Sequence, residues 1–144
     1  MRVARQYGWV VACGLVAWAG LYSIAAPRVA DSRVDDAYSR IERGDLQQAV
    51  QSAKSAHSLN PLSIAPLLAW ATAEEDGNQL GRARELYAQA VDLQPLNWES
   101  WYQLALFDRQ VLGHNDVARR ELRRALELDP HNCQVRTALA LPCD

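Results

Sequence analysis

Ala56-His57-Ser58-Leu59-Asn60-Pro61, Ala90-Val91-Asp92-Leu93-Gln94-Pro95 and Ala125-Leu126-Glu127-Leu128-Asp129-Pro130 end in the same way, with prolines 34 and 35 residues apart. Seven residues upstream of those alanines stand Ala49, Ala83 and Ala118, in the same spacing. Landmarks repeating in register mark a chain built from stacked copies of one unit. The extra residue falls in Leu112-Gly113-His114-Asn115-Asp116, where a turn absorbs it.

Each unit reads as two helices. The first helices are predicted over Asp31–Arg43, Ser63–Asp76 and Trp98–Val111. The second helices are predicted over Leu46–Leu59, Leu80–Leu93 and Asp116–Leu128. Gly44-Asp45, Asp76-Gly77-Asn78 and Gly113-His114-Asn115 supply the turns between them. A proline after each second helix prevents its continuation. Leu80, Ala83, Leu86-Tyr87 and Ala90-Val91 keep the spacing of one apolar helix face. Small alanines let the paired helices cross closely, and Leu67, Trp70, Tyr87, Trp101, Leu104 and Leu122 are expected to fill the spaces between units. A last short helix, Cys133–Leu141, is expected to cover the open face of the third unit. Asn97 is positioned to cap the third first-helix.

This helix–turn–helix pattern resembles the tetratricopeptide repeat (TPR). Leu67, Trp70, Ala71, Ala83, Tyr87, Ala90 and Pro95 hold the signature positions in the second repeat. Trp101, Leu104, Ala105, Ala118, Leu122, Ala125 and Pro130 hold them in the third, and Ala37, Gly44, Ala49, Ala53, Ala56 and Pro61 in the first. The resemblance implies an all-α solenoid of three repeats, about 30–63, 64–97 and 98–132, with a cap at 133–141. Arg33 and Asp36 stand where the family carries large apolar residues, so the first helix is expected to dock only in part. A narrower likeness, in His57–Ser63 and Leu93–Phe107, is to the repeat tails of bacterial O-antigen ligase or polymerase-like membrane proteins. It implies an accessory or detached tail of a glycan-assembly system.

Ahead of the repeats, Tyr7–Ala26 runs for 20 residues without a charge. A bilayer core requires about 20 helical residues. Arg2 and Arg5 precede this stretch, Arg28 follows it, and Trp9 and Tyr22 sit near its ends. The expectation is a membrane anchor over 1–28 and a repeat domain over 29–144. The length favours an anchor over a cleaved signal peptide, although Ala17-Trp18-Ala19 and Ser23-Ile24-Ala25 loosely fit a cleavage site. Arg2 and Arg5 favour a cytoplasmic N-terminus, while Arg28, Arg33, Arg40 and Arg43 oppose it. The balance leans slightly towards a repeat domain outside the cytoplasm. Lys54 is the only lysine among 15 basic residues, a bias that, with abundant alanine, is in keeping with a bacterial source. The 7–26 stretch then implies a single-pass protein of the bacterial cytoplasmic membrane.

The groove expected in this family is lined by the first helices. Its positions here are Asp31, Val34, Asp35, Tyr38 and Glu42, then Leu68, Thr72 and Glu75, then Glu99, Tyr102, Gln103, Leu106 and Arg109. Acids and aromatics dominate, so the resemblance implies a basic or amphipathic partner segment rather than a clamped carboxylate. The other reading is a solvated acidic face. Arg119, Arg120, Arg123 and Arg124 form a second charged face, diluted by Glu121 and Glu127. Self-association through exposed repeat faces is a further alternative.

Net charge is −2, which gives no field for nucleic acid. No phosphate loop, HExxH or Cys/His cluster appears, and His57, His114 and His131 lie at helix ends or turns. The sequence therefore points to no catalysis, cofactor or metal. Cys133 and Cys143 are ten residues apart, about 15 Å along a continuous helix. A disulfide tolerates about 7 Å between Cα atoms. Two free thiols are expected, unless Pro142 turns the end back.

Overall fold

A computed structural model of the chain describes residues 28–143. Those residues form seven helices and no strand. The 7–26 stretch lies outside them, and among the described residues no helix is long and apolar enough to cross a membrane.

The helices alternate up and down. α1 is described over 28–42. It is followed by α2 (Leu46–Leu59), α3 (Ala65–Asp76), α4 (Leu80–Leu93), α5 (Trp98–Gln110), α6 (Asn115–Leu128) and α7 (Cys133–Ala138). From α2 onward, each helix packs on the next. Short turns force each neighbour to run antiparallel. The turns at 43–45, 77–79 and 111–114 therefore lie on one edge of the array, and those at 60–64 and 94–97 on the other.

On the first edge, each turn contains a residue at positive φ: Gly44 at 80°, Asn78 at 58° and Gly113 at 70°. Asparagine is among the few side chains that enter this region readily, so it replaces glycine in the second repeat. Proline closes the second helices by different means. Asn60, Gln94 and Asp129 leave helical geometry just before it, and each donates its N–H to the carbonyl of the recurring alanine four residues back.

The central core joins Ile64, Leu67, Leu68, Ala71, Ala83, Leu86, Tyr87, Ala90, Val91, Leu104 and Phe107 across α3, α4 and α5. Ala49, Ala53, Ala56, Ala83, Ala90, Ala118 and Ala125 are all at 0% exposure, as close helix crossing requires. Trp70 couples three helices. Its ring lies 4.6 Å from the Lys54 ammonium on α2 and 4.9 Å from the Arg82 guanidinium on α4.

α1 docks more fully than its polar residues led us to expect. Ala30, Val34 and Ala37 are buried, and Val34 and Ala37 share a cluster with Ala53, Ala56 and Ala69. Asp36 is accommodated by partners rather than expelled. Its carboxylate accepts from Arg40 Nε at 2.8 Å and from Ser52 Oγ at 2.6 Å. These two donors hold its carboxyl below the usual carboxylate range. A hydrogen-bonded Asp36–Ser52 contact thus stands where the second repeat packs Trp70 near Leu86.

The C-terminal end also corrects the sequence reading. α7 stops at Ala138 instead of reaching Leu141. Ala140 takes φ 59°, and the Leu141 N–H donates back to the Arg136 carbonyl at 2.8 Å. This reversal returns Cys143 to Cys133, with Cα atoms 5.3 Å apart, and the two are disulfide-bonded. The expectation of free thiols failed because it assumed a continuous helix. Asn132 caps α7 through its side-chain oxygen, which accepts from the Gln134 and Val135 N–H groups. Val135 is fully buried, while Ala138 and Leu139 pack against Ala105, Ala118 and Leu122.

Candidate functional site

The expected groove positions separate into three groups. Asp31, Asp35 and Glu42 are exposed on α1, as is Glu99 near the start of α5. Val34 and Leu68 turn inward, at 7% and 6% exposure, and present little surface to a partner. The remaining positions gather into two places.

The first is a tyrosine–carboxylate cluster joining α1, α3, α4 and α5. Tyr87 Oη donates to Glu75 Oε2 at 3.0 Å and lies 3.3 Å from Thr72 Oγ1. Thr72 Oγ1 also donates to the Leu68 carbonyl one turn back, at 3.0 Å. Tyr38 stands close enough for its pKa to be raised, first by desolvation and then by the Glu99 carboxylate. Desolvation also raises Glu75, opposed by the Tyr87 hydrogen bond. The Tyr87 hydroxyl is pushed up mainly by burial. Negative charge and phenol hydroxyls thus converge where α1 and α5 approach across α3. Tyr38 remains 39% exposed and is the accessible aromatic of the cluster. Sequence reasoning missed Tyr87 here, because its signature position marked it only as packing. Its hydroxyl provides a polar tip on an apolar ring.

The second place is an open depression of about 490 Å³ between α5 and α7. Tyr102, Leu106, Arg109 and Gln110 line it from α5, with Cys133, Gln134, Thr137 and Ala138 opposite. Tyr102 is tilted against Trp98, with ring centroids 6.0 Å apart. Arg109 is committed to structure, since Nη1 donates to the Ala138 carbonyl at 2.8 Å. Gln103 is half-buried beside these residues on α5. The groove therefore offers a surplus of carboxylates, and its arginine serves to dock the cap.

A third polar cluster joins α4, α5 and α6. Asp108 is completely buried and accepts two bonds from Arg84, Nε to Oδ1 and Nη2 to Oδ2, each 2.8 Å. Arg84 Nη2 lies 3.9 Å from Glu121 Oε1. Glu121 replaces the leucine that the second repeat has at Leu86. Burial and then the Asp108 charge push its pKa up to about 7. The Asp108 and Glu121 carboxylates of this cluster are buried, and the paired geometry assigns it to holding repeats together. Among the described residues, no group of three or more His, Cys, Asp or Glu side chains is placed to hold a metal ion.

No family model matches the chain, and no curated protein matches it. The narrower likeness to O-antigen ligase tails gains no support from these comparisons. Solved structures do match. The NMR structure of the first TPR domain of human RPAP3 aligns with a TM-score of 0.66 at 18% identity, covering 79% of this chain and 89% of that one. The first TPR of Spaghetti (RPAP3) bound to the HSP90 peptide SRMEEVD aligns at 0.64 and 18%, covering 79% and 90%. The Sgt2 TPR domain from Aspergillus fumigatus aligns at 0.65 and 18%, covering 77% and 74%. Helix order, crossing alanines and these alignments together give the chain the tetratricopeptide-repeat fold.

Proposed function

We propose that the chain is a protein-interaction module of a bacterial envelope complex, tethered by its 7–26 stretch, whose groove receives a basic or amphipathic segment of a partner protein. The observation that carries this reading is the tyrosine–carboxylate cluster of Tyr38, Thr72, Glu75, Tyr87 and Glu99. A structural neighbour is bound to the peptide SRMEEVD, which carries three acids and one arginine. The groove here presents Asp31, Asp35, Glu42 and Glu99 to solvent, so a segment of that charge would be repelled. Lysine or arginine side chains meet the carboxylates instead, and apolar residues meet Tyr38 and Tyr102.

The Cys133–Cys143 bridge bears on placement. Disulfides persist in oxidising compartments and are rare in the cytosol. It supports a repeat domain on the extracytoplasmic side of the membrane, the side slightly favoured by the charges around 7–26.

The test is direct binding by the full chain in detergent. A lysine-rich amphipathic peptide is compared with SRMEEVD, on the parent and on a Tyr38→Ala, Glu99→Lys double variant. The expected result is binding of the basic peptide, weakened at least tenfold by the double change and reduced by salt. Equal binding of both peptides, or binding indifferent to the variant, would remove the groove from consideration.

A further inference from the structure

Among the described residues, the three most exposed large apolar side chains are Leu96, Leu62 and Val29, at 77%, 74% and 46%. All three lie on one edge of the array. Val29 stands in the first described turn of α1, Leu62 sits in the turn before α3, and Leu96 sits in the turn before α5. The turns that bear the leucines are fastened. Gln94 Nε2 donates to the Leu62 carbonyl at 2.7 Å, tying one turn to the next. Trp101 Nε1 donates to the Pro95 carbonyl at 3.0 Å, and Asn97 Nδ2 to Gln94 Oε1 at 2.9 Å. An open depression of about 580 Å³ adjoins Leu96, lined by Gln94, Pro95, Leu96, Asn97 and Trp98. The leucines contribute little to the core, so the fold alone does not account for them.

The same edge is where the chain enters the repeats. The uncharged stretch ends at Ala26 and α1 is described from residue 28. Two residues of chain reach at most about 7 Å. The headgroup layer on each side of a bilayer is roughly 5–8 Å thick. An edge so close to the end of a membrane span stands at headgroup level. Trp98 has the amphipathic ring that concentrates there.

We propose that this edge rests on the lipid bilayer, with Leu62, Leu96 and Trp98 inserted among the headgroups. The proposal relies on residues 7–26 spanning the membrane. Arg28, Asp31, Asp92, Glu99 and Asp129 stand towards the same edge, and this excess of acids makes apolar insertion, not attraction to anionic lipid, the holding force. The helices then stand upright. A helix of 14 residues is about 21 Å long. The Gly44, Asn78 and Gly113 turns face away from the membrane, and the groove opens sideways along its surface.

The experiment uses the full chain in vesicles of phosphatidylethanolamine and phosphatidylglycerol. Photoreactive p-benzoylphenylalanine is placed singly at Leu62 and Leu96, and for comparison at Gln47 and Gln79 on the opposite edge, both exposed. Lipid adducts are expected to be several-fold more abundant at 62 and 96 than at 47 and 79, and to persist at high salt. Extraction by alkaline carbonate is read on the same samples. If the chain resists extraction but 62 and 96 give no more lipid adduct than 47 and 79, the docked edge is wrong and the anchor stands. If adducts at 62 and 96 join two copies of the chain, the edge is a self-contact and the proposal falls. If the chain is extracted, the anchor reading falls, and the docked edge with it.

Discussion

Glu121 occupies a costly position in the fold. It occupies a packing position in the third repeat, at 8% exposure, and its Oε2 has no hydrogen-bond partner. Burial and the neighbouring Asp108 raise its pKa from 4.5 to about 7. The folded protein therefore retains a proton over a window in which the unfolded chain releases it. Stability from this group is greatest below about pH 4.5, falls as pH rises to about 7, and is level above that. The shift corresponds to a loss on the order of 3 kcal/mol across the window. Glu121→Gln keeps the shape and removes the titration. Denaturant melts at about pH 5 and about pH 8 should show the variant gaining on the parent at the higher pH. An equal difference at both values would mean that Glu121 is not buried as a charge. The same substitution leaves the two hydrogen bonds from Arg84 to the Asp108 oxygens in place.

At the scale of the helix, the crossing alanines carry a direct consequence. Ala90 is at 0% exposure where α4 meets its neighbours, whereas Arg120 is exposed on α6. Ala90→Leu should cost about 1–3 kcal/mol through overpacking. Arg120→Leu should stay within about 0.5 kcal/mol of the parent. Equal shifts in thermal midpoint would remove close crossing as the reason for the alanines. The repeat spacing located α2 and α4 to the residue and Asn97 as a cap, because alanine, turn and proline recur in register. The last helix was misread because nothing local marks Ala140 as the residue that reverses the chain. A left-handed alanine is imposed by tertiary contacts, not by its own preference. The disulfide that follows closes a ten-residue separation. Reduction should relax this end first, since a loop of that size contributes about 2–3 kcal/mol in the chain-entropy account. Hydrogen exchange after reduction should quicken over 136–143 and leave α3 and α4 unchanged. Loss of protection throughout would show that α7 nucleates the array rather than covering it.

Across the whole molecule, the sequence revealed periodicity more readily than surface. Groove positions could be numbered from the repeat, but the repeat does not say which side chains a neighbouring helix consumes. Leu68 goes to the core and Arg109 to the cap, while Tyr87 enters the polar cluster from a second helix. Edge residues were invisible for a different reason: Leu62 and Leu96 look like ordinary apolar residues until their turns are placed in space. Their exposure of 74% and 77% makes a clear demand on stability. A side chain that remains in water when the domain folds gains little from folding. Leu62→Ser and Leu96→Ser should each leave the unfolding free energy of the chain within about 0.5 kcal/mol. Leu86, the same residue type at 0% exposure, should cost about 2–5 kcal/mol when changed to alanine. Parallel denaturant titrations of the three variants make the comparison. If the turn leucines were as costly as Leu86, they would belong to the core and their exposure would serve the fold. If they are neutral, the array tolerates two conspicuous apolar side chains that it does not use, and their purpose lies in what the edge touches.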